Sequence, residues 1–126
     1  MLHHILRSRT CTLRALSTTP PSAPLVGYVR LWSSEDAIGY GLPGADEGFA
    51  IKRAHGPVQP PGERFHVAFG AQSRSHVDEF FRVALAHGGR SNGGPGLRPE
   101  YGPNYYAAFI SDPDGYRLEA VITQAE

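Results

Sequence analysis

The chain has 126 residues, with twelve Lys and Arg against twelve Asp and Glu, so its formal net charge is zero. That length fits one small domain, and the balanced charge gives no electrostatic footprint for nucleic acid. A single cysteine, Cys11, excludes an internal disulfide, and no apolar run approaches membrane-spanning length.

Leu2-His3-His4-Ile5 opens the chain, and residues 6–26 then show neither strand alternation nor a completed amphipathic helix. The first acidic residue is Glu35, and the opening segment carries Arg7, Arg9 and Arg14 among many Ser and Thr, a composition shared with mitochondrial presequences. Residues 28–32 and 37–40 read as short strands around a Ser33-Ser34-Glu35-Asp36 turn. A Gly/Pro turn at 42–47 leads to a third strand at 48–53, and residues 57–62 form a linker.

Arg64-Phe65-His66-Val67-Ala68-Phe69-Gly70 reads as a two-faced strand. Phe65, Val67 and Phe69 suit the underside of a helix, while His66, Ala68 and Gly70 form a face of small residues with one imidazole above open space. A helix follows over 75–86: Ser75 with Asp78 caps it, Val77, Phe80, Phe81, Ala84 and Leu85 form its apolar stripe, and Gly88-Gly89 stop it. Residues 88–103 are too rich in Gly and Pro for a long strand but can hold a short edge strand near Gly96-Leu97. His55, His76 and His87, in the linker and on the helix, read as surface residues.

Residues 105–110 and 116–122 pair as an antiparallel hairpin, because Asp112-Pro113-Asp114-Gly115 is a turn: Pro113 fixes φ and Asp114-Gly115 tolerate positive φ. Alternation puts Tyr116, Leu118, Ala120 and Ile122 on one face and Arg117, Glu119 and Val121 on the other. Glu119 is then either a residue of a solvated outer face, beside Arg117, or a functional carboxylate planted in an apolar strand. The order strand, helix, short strand, strand, strand is a βαβββ unit. Such a unit curls away from its helix and places His66, on its first strand, and Glu119, on its last, above one hollow. Tyr101, Tyr105 and Tyr106 are candidates to line it or to pack near the hairpin.

This series of motifs resembles the vicinal oxygen chelate superfamily, which includes glyoxalase I, extradiol dioxygenases, fosfomycin-resistance enzymes and bleomycin-binding proteins. The resemblance rests on Phe65-His66-Val67-Ala68-Phe69, Val77-Asp78-Glu79-Phe80, Gly88-Gly89-Arg90, Pro95-Gly96-Leu97-Arg98-Pro99, Asn104-Tyr105-Tyr106-Ala107-Ala108-Phe109 and Asp112-Pro113-Asp114-Gly115 with Glu119, in that order. It implies an α+β fold of paired βαβββ modules, the second intact and the first incomplete. It also implies a divalent metal ion (zinc, nickel, manganese or iron) held by His4, His66 and Glu119, two imidazoles and a carboxylate with positions left open for substrate or water. Phe109 stands where extradiol dioxygenases keep a tyrosine, which argues against ring cleavage. The strand at 48–53 offers Phe49, Ala50, Ile51 and Lys52 where glyoxalase I carries a fourth ligand.

The expected domain is residues 27–126, with residues 1–26 an anomalous segment in place of the family's opening strand and helix. One explanation is a presequence. The other is a frame change in the coding sequence: shifting the codons by one base lets Thr10-Cys11 become Asp-Leu, Ser17-Thr18-Thr19 become Phe-Tyr-Asp and Pro20-Pro21-Ser22 become Ala-Ala-Leu. The frame change is preferred, because a presequence should lengthen the chain, whereas here a strand and helix are replaced.

The expected function is a metal-dependent enzyme of the glyoxalase-like branch acting on a small oxygen-bearing substrate, as a lyase, isomerase or dioxygenase. The metal would be a Lewis acid, Glu119 would be both ligand and proton carrier, and Tyr105 and Tyr106 would contact substrate. The alternatives are a metal-free binding module of the bleomycin-sequestering kind and an inactive product of a damaged gene. Expected partners are a small-molecule substrate and a second copy in a homodimer, with no nucleic acid and no membrane. The expected compartment is the cytoplasm, or the mitochondrion if residues 1–24 are a presequence.

Overall fold

The structure is a computed structural model that describes residues 2–6 as backbone, and residues 28–53 and 59–126 in full. The expectations for residues 7–26, for Cys11 and for His55 lie outside the described residues. Among the described residues there are two four-stranded sheets. The first holds β1 (Leu2–Leu6), β2 (Val29–Ser33), β3 (Ala37–Gly41) and β4 (Phe49–Arg53) in the order β1-β4-β3-β2. The second holds β5 (Val67–Gly70), β6 (Arg90–Leu97), β7 (Tyr106–Ser111) and β8 (Arg117–Ile122) in the order β5-β8-β7-β6. In both, the first strand of the half pairs parallel with the last and the remaining pairs are antiparallel. The two halves thus repeat one layout.

The second half crosses from β5 to β6 through α1 (Arg74–Ala86). Its cap is Ser73 and not Ser75: the Ser73 backbone is extended and its hydroxyl accepts the His76 N–H at 3.1 Å, satisfying one of the orphan donors of the first turn. At the other end Gly88 takes φ +98° and the Gly89 N–H returns to the Ala84 carbonyl at 2.8 Å, a stop that needs glycine's freedom to turn left-handed. His76 and His87, expected on the surface, are half-buried, and His87 Nδ1 lies 2.9 Å from the Val83 carbonyl oxygen.

Alternation decides what is buried. Val67 and Phe69 of β5, Ala108 and Ile110 of β7, and Leu118, Ala120 and Ile122 of β8 pack with Val77, Phe80 and Ala84 of α1 in one apolar cluster. Each large side chain removed from water there contributes about 1.5–3 kcal/mol. The cluster continues into the first sheet through Ile38, Tyr40, Phe49 and Ile51. Phe69 is the joint, with the Phe49 ring 5.1 Å and the Tyr28 ring 6.0 Å from its own, both edge-on.

The hairpin forms as its turn residues require. Gly115 donates to the Asp112 carbonyl at 2.9 Å and takes φ +91°. The buried Asp112 carboxylate accepts the N–H groups of Asp114 and Tyr116, each at 2.9 Å. β6 departs from expectation, being an eight-residue strand where a short one was expected. Its pairing with β7 slips between Ser91 and Gly93 and again between Gly93 and Gly96, so the glycines act as bulges that bend the strand without ending it.

Candidate metal and substrate site

β8 delivers Glu119 to the face opposite the core, and β5 is its parallel neighbour, with Ala68 in register with Glu119. His66 directly precedes β5 and projects to the same face. Its Nε2 lies 3.0 Å from Glu119 Oε2. The other carboxylate oxygen, Oε1, accepts the Tyr105 hydroxyl. Glu119 is only 1 % exposed, whereas the His66 side chain is 47 % exposed. The carboxylate is therefore sealed, and the imidazole opens onto solvent. Glu119 does not sit on a solvated outer face, although Arg117 on the same face is exposed.

Burial first, and then the Glu119 carboxylate, push the Tyr105 phenol up to about 12. It stays a hydroxyl donor throughout the neutral range, and its ring stacks at a tilt on Tyr101 at 5.2 Å. Tyr106 faces the other way. Its hydroxyl donates to Asp78 Oδ1 on α1 at 2.5 Å, and that hydrogen bond is the first cause of its raised pKa, with burial next. The two tyrosines were grouped by sequence as substrate contacts, but adjacent strand residues point to opposite faces. Only Tyr105 joins the site.

Phe109 is in register with Glu119 across the hairpin, and the His66 ring meets it T-shaped at 6.3 Å. Beside this pair lies a cleft of about 130 Å³ lined by Glu63, His66, Asn92, Phe109, Ile110, Arg117 and Leu118. The Arg98 guanidinium lies 5.4 Å from the Phe109 ring centre. Sequence reasoning did not assign Arg98 a role. The available signal was a run of glycines, Gly93-Gly94-Pro95-Gly96, shortly before an arginine.

An imidazole nitrogen and a carboxylate oxygen suit a divalent first-row cation. Two such donors at right angles, each about 2.1 Å from one ion, stand roughly 3 Å apart, which matches the His66–Glu119 separation of 3.0 Å. The pair fits as two ligands. Among the described residues no group of three or more His, Cys, Asp or Glu side chains comes together. His4 lies on β1 in register with Ile51 of β4, and its side chain is outside the described residues.

The profile of the Glyoxalase/Bleomycin resistance protein/Dioxygenase superfamily matches residues 12–120. Among solved structures, a glyoxalase/bleomycin resistance protein from Albidiferax ferrireducens T118 is 21% identical, with 95% of this chain and 93% of that one covered at a TM-score of 0.71. A glyoxalase/bleomycin resistance protein/dioxygenase family enzyme from Burkholderia phytofirmans PsJN is 14% identical, with 97% and 95% covered at 0.66. A mutant of the fosfomycin resistance protein FosX from Listeria monocytogenes, solved with Mn(II) and 1S,2S-dihydroxypropylphosphonic acid, is 17% identical, with 99% and 89% covered at 0.63. No curated protein matches. These solved structures share the fold, and the profile spans most of the sequence: the chain belongs to the glyoxalase/bleomycin resistance protein/dioxygenase superfamily.

Proposed function

We propose that the chain is a metal-dependent enzyme of the glyoxalase-like branch, in which His66 and Glu119, joined by His4, hold a divalent cation for chemistry on a small oxygen-bearing substrate. The observation that carries this reading is the 3.0 Å approach of His66 Nε2 to a carboxylate that is 1 % exposed. A buried carboxylate needs a compensating partner, and the FosX relative was solved with Mn(II). When bound, the cation supplies Lewis-acid polarisation of substrate oxygens.

The chain's own groups have distinct tasks. Tyr105 donates to Glu119 Oε1 and so fixes the carboxylate plane, leaving Oε2 beside His66 as the oxygen that would hold the cation. Phe109 gives the cleft beside His66 an aromatic wall, and that cleft admits a small molecule.

Calorimetric titration of the full chain with manganese, zinc, nickel and ferrous ions tests the reading. His66→Ala or Glu119→Gln should weaken binding about ten-fold or more. Binding unchanged by both substitutions would place any metal elsewhere. A second reading, a metal-free binding module, is favoured by the Tyr105 bond, which satisfies Glu119 Oε1 without an ion. It expects no specific metal heat at all.

A further inference from the structure

Arg98 follows the last residue of β6, and its backbone N–H donates to the Tyr105 carbonyl at 2.7 Å. It is thus the strand-to-strand neighbour of the tyrosine that holds Glu119. Its side chain folds back over β6. Nη2 donates to the Gly94 carbonyl at 2.6 Å, and Nη1 lies 3.4 Å from the Leu97 carbonyl. A Cβ at Gly93 would stand 3.2 Å from Nη2, and one at Gly96 would stand 3.1 Å from Nη1. The bulged glycines therefore clear a bed for the guanidinium on one side, and the Phe109 ring covers it on another at 5.4 Å.

A guanidinium carries five donors in a planar fork. Backbone carbonyls take two of them here, and among the described residues no carboxylate lies within ion-pairing distance of Arg98. The same Phe109 ring contacts His66, so the cation and the His66–Glu119 pair share one aromatic neighbour. A half-buried cation, held in place and left without an anion of its own, is suited to receive one from a ligand.

We propose that Arg98 is the anion anchor of this site: the substrate is a small oxyacid whose carboxylate, phosphate or phosphonate group binds the Arg98 guanidinium while neighbouring oxygens reach the exposed His66. The substrate assignment rests on the function proposed above, but the anchor itself is separable from it. An oxyanion bound through paired N–H donors gains both energy and orientation, which turns the substrate's reactive end toward His66. The glycines of β6 are then determinants of specificity, since they set where the fork lies.

The test is titration of the metal-free full chain, followed by NMR, with inorganic phosphate as tetrahedral anion and acetate as planar anion. At least one should bind. Arg98→Met should raise its Kd about ten-fold or more, with Arg98→Lys falling between because it keeps the charge and loses the fork. Gly96→Ala, which keeps the arginine but crowds Nη1, should weaken the anion as well and guards against a misfolded Arg98→Met. Whichever anion binds more tightly identifies the head group as tetrahedral or planar. Binding of neither anion, or equal binding by the wild-type and Arg98→Met chains, overturns the proposal. Arg98→Met should weaken the anion and not manganese, whereas His66→Ala should weaken manganese more than the anion, so failure of the anchor and failure of the metal site are read separately.

Discussion

Tyr105 and Glu119 share one proton-rich contact, and the chemistry of each depends on the other. The phenol, pushed up to about 12 by burial and by Glu119, has an ordinary value of about 10 in an unfolded chain. Between those two values the unfolded state has lost its proton while the folded state keeps it, so stability falls as pH rises. The contribution is whole below about pH 10 and gone above about pH 12. Tyr105→Phe should destabilise the chain by about 1–3 kcal/mol at neutral pH, and the gap from wild type should close between about pH 10 and 12. Denaturant melts across that range would show it, and a constant gap would place the tyrosine's role elsewhere. At this scale the His66 and Glu119 faces were legible, because strand alternation fixes them. Arg98 was not, since its direction depends on bulges in β6 whose register no local pattern displays.

At the scale of elements, the β7–β8 hairpin sets the height of Glu119 opposite Phe109, and Asp112 sets the hairpin. Its buried carboxylate accepts the N–H groups of Asp114 and Tyr116, so Asp112→Ala would strand those donors. We expect a loss of about 1–3 kcal/mol, most of it restored by Asp112→Asn, whose amide oxygen can accept the same bonds. Thermal melts of the pair check this, and an equal loss in both variants would show that charge, and not the turn, is what matters. The turn, α1 and the hairpin were readable because Gly, Pro and Asp mark them directly. The cap moved from Ser75 to Ser73 because two serines offer equivalent oxygens, and only the approach of the chain to the helix selects one. β6 was misjudged because glycine and proline lower strand propensity, while pairing with β7 on one side overrides it.

The whole molecule is built on a repeat: both sheets have their first strand parallel to their last, and Phe69 joins their cores. The second half reaches its second strand through α1, whose stripe of Val77, Phe80 and Ala84 is buried. In the first half the sequence between β1 and β2 has no such stripe. We propose that a chain recoded there in the shifted frame would melt several degrees higher, remain soluble to higher concentration and bind manganese more tightly through His4. Equal melting temperature and solubility in the two chains would count against the frame change. Sequence gave no view of how the halves meet, because Phe69 reads only as one more apolar strand residue until Phe49 is beside it.

The parallel pairing of β5 with β8 also sets a time order. His66 lies at the start of the second half and Glu119 on its final strand, and nothing local draws them together before α1, β6 and β7 have been laid down between them. Contacts of such long sequence separation close late, after loop entropy has been overcome. On the ribosome β8 emerges after β5, β6 and β7. The site can assemble only after β8 has been made, so an arrested or clipped chain lacking β8 has the imidazole without its carboxylate, and an apolar sheet edge along β5 and β7 left open to other chains.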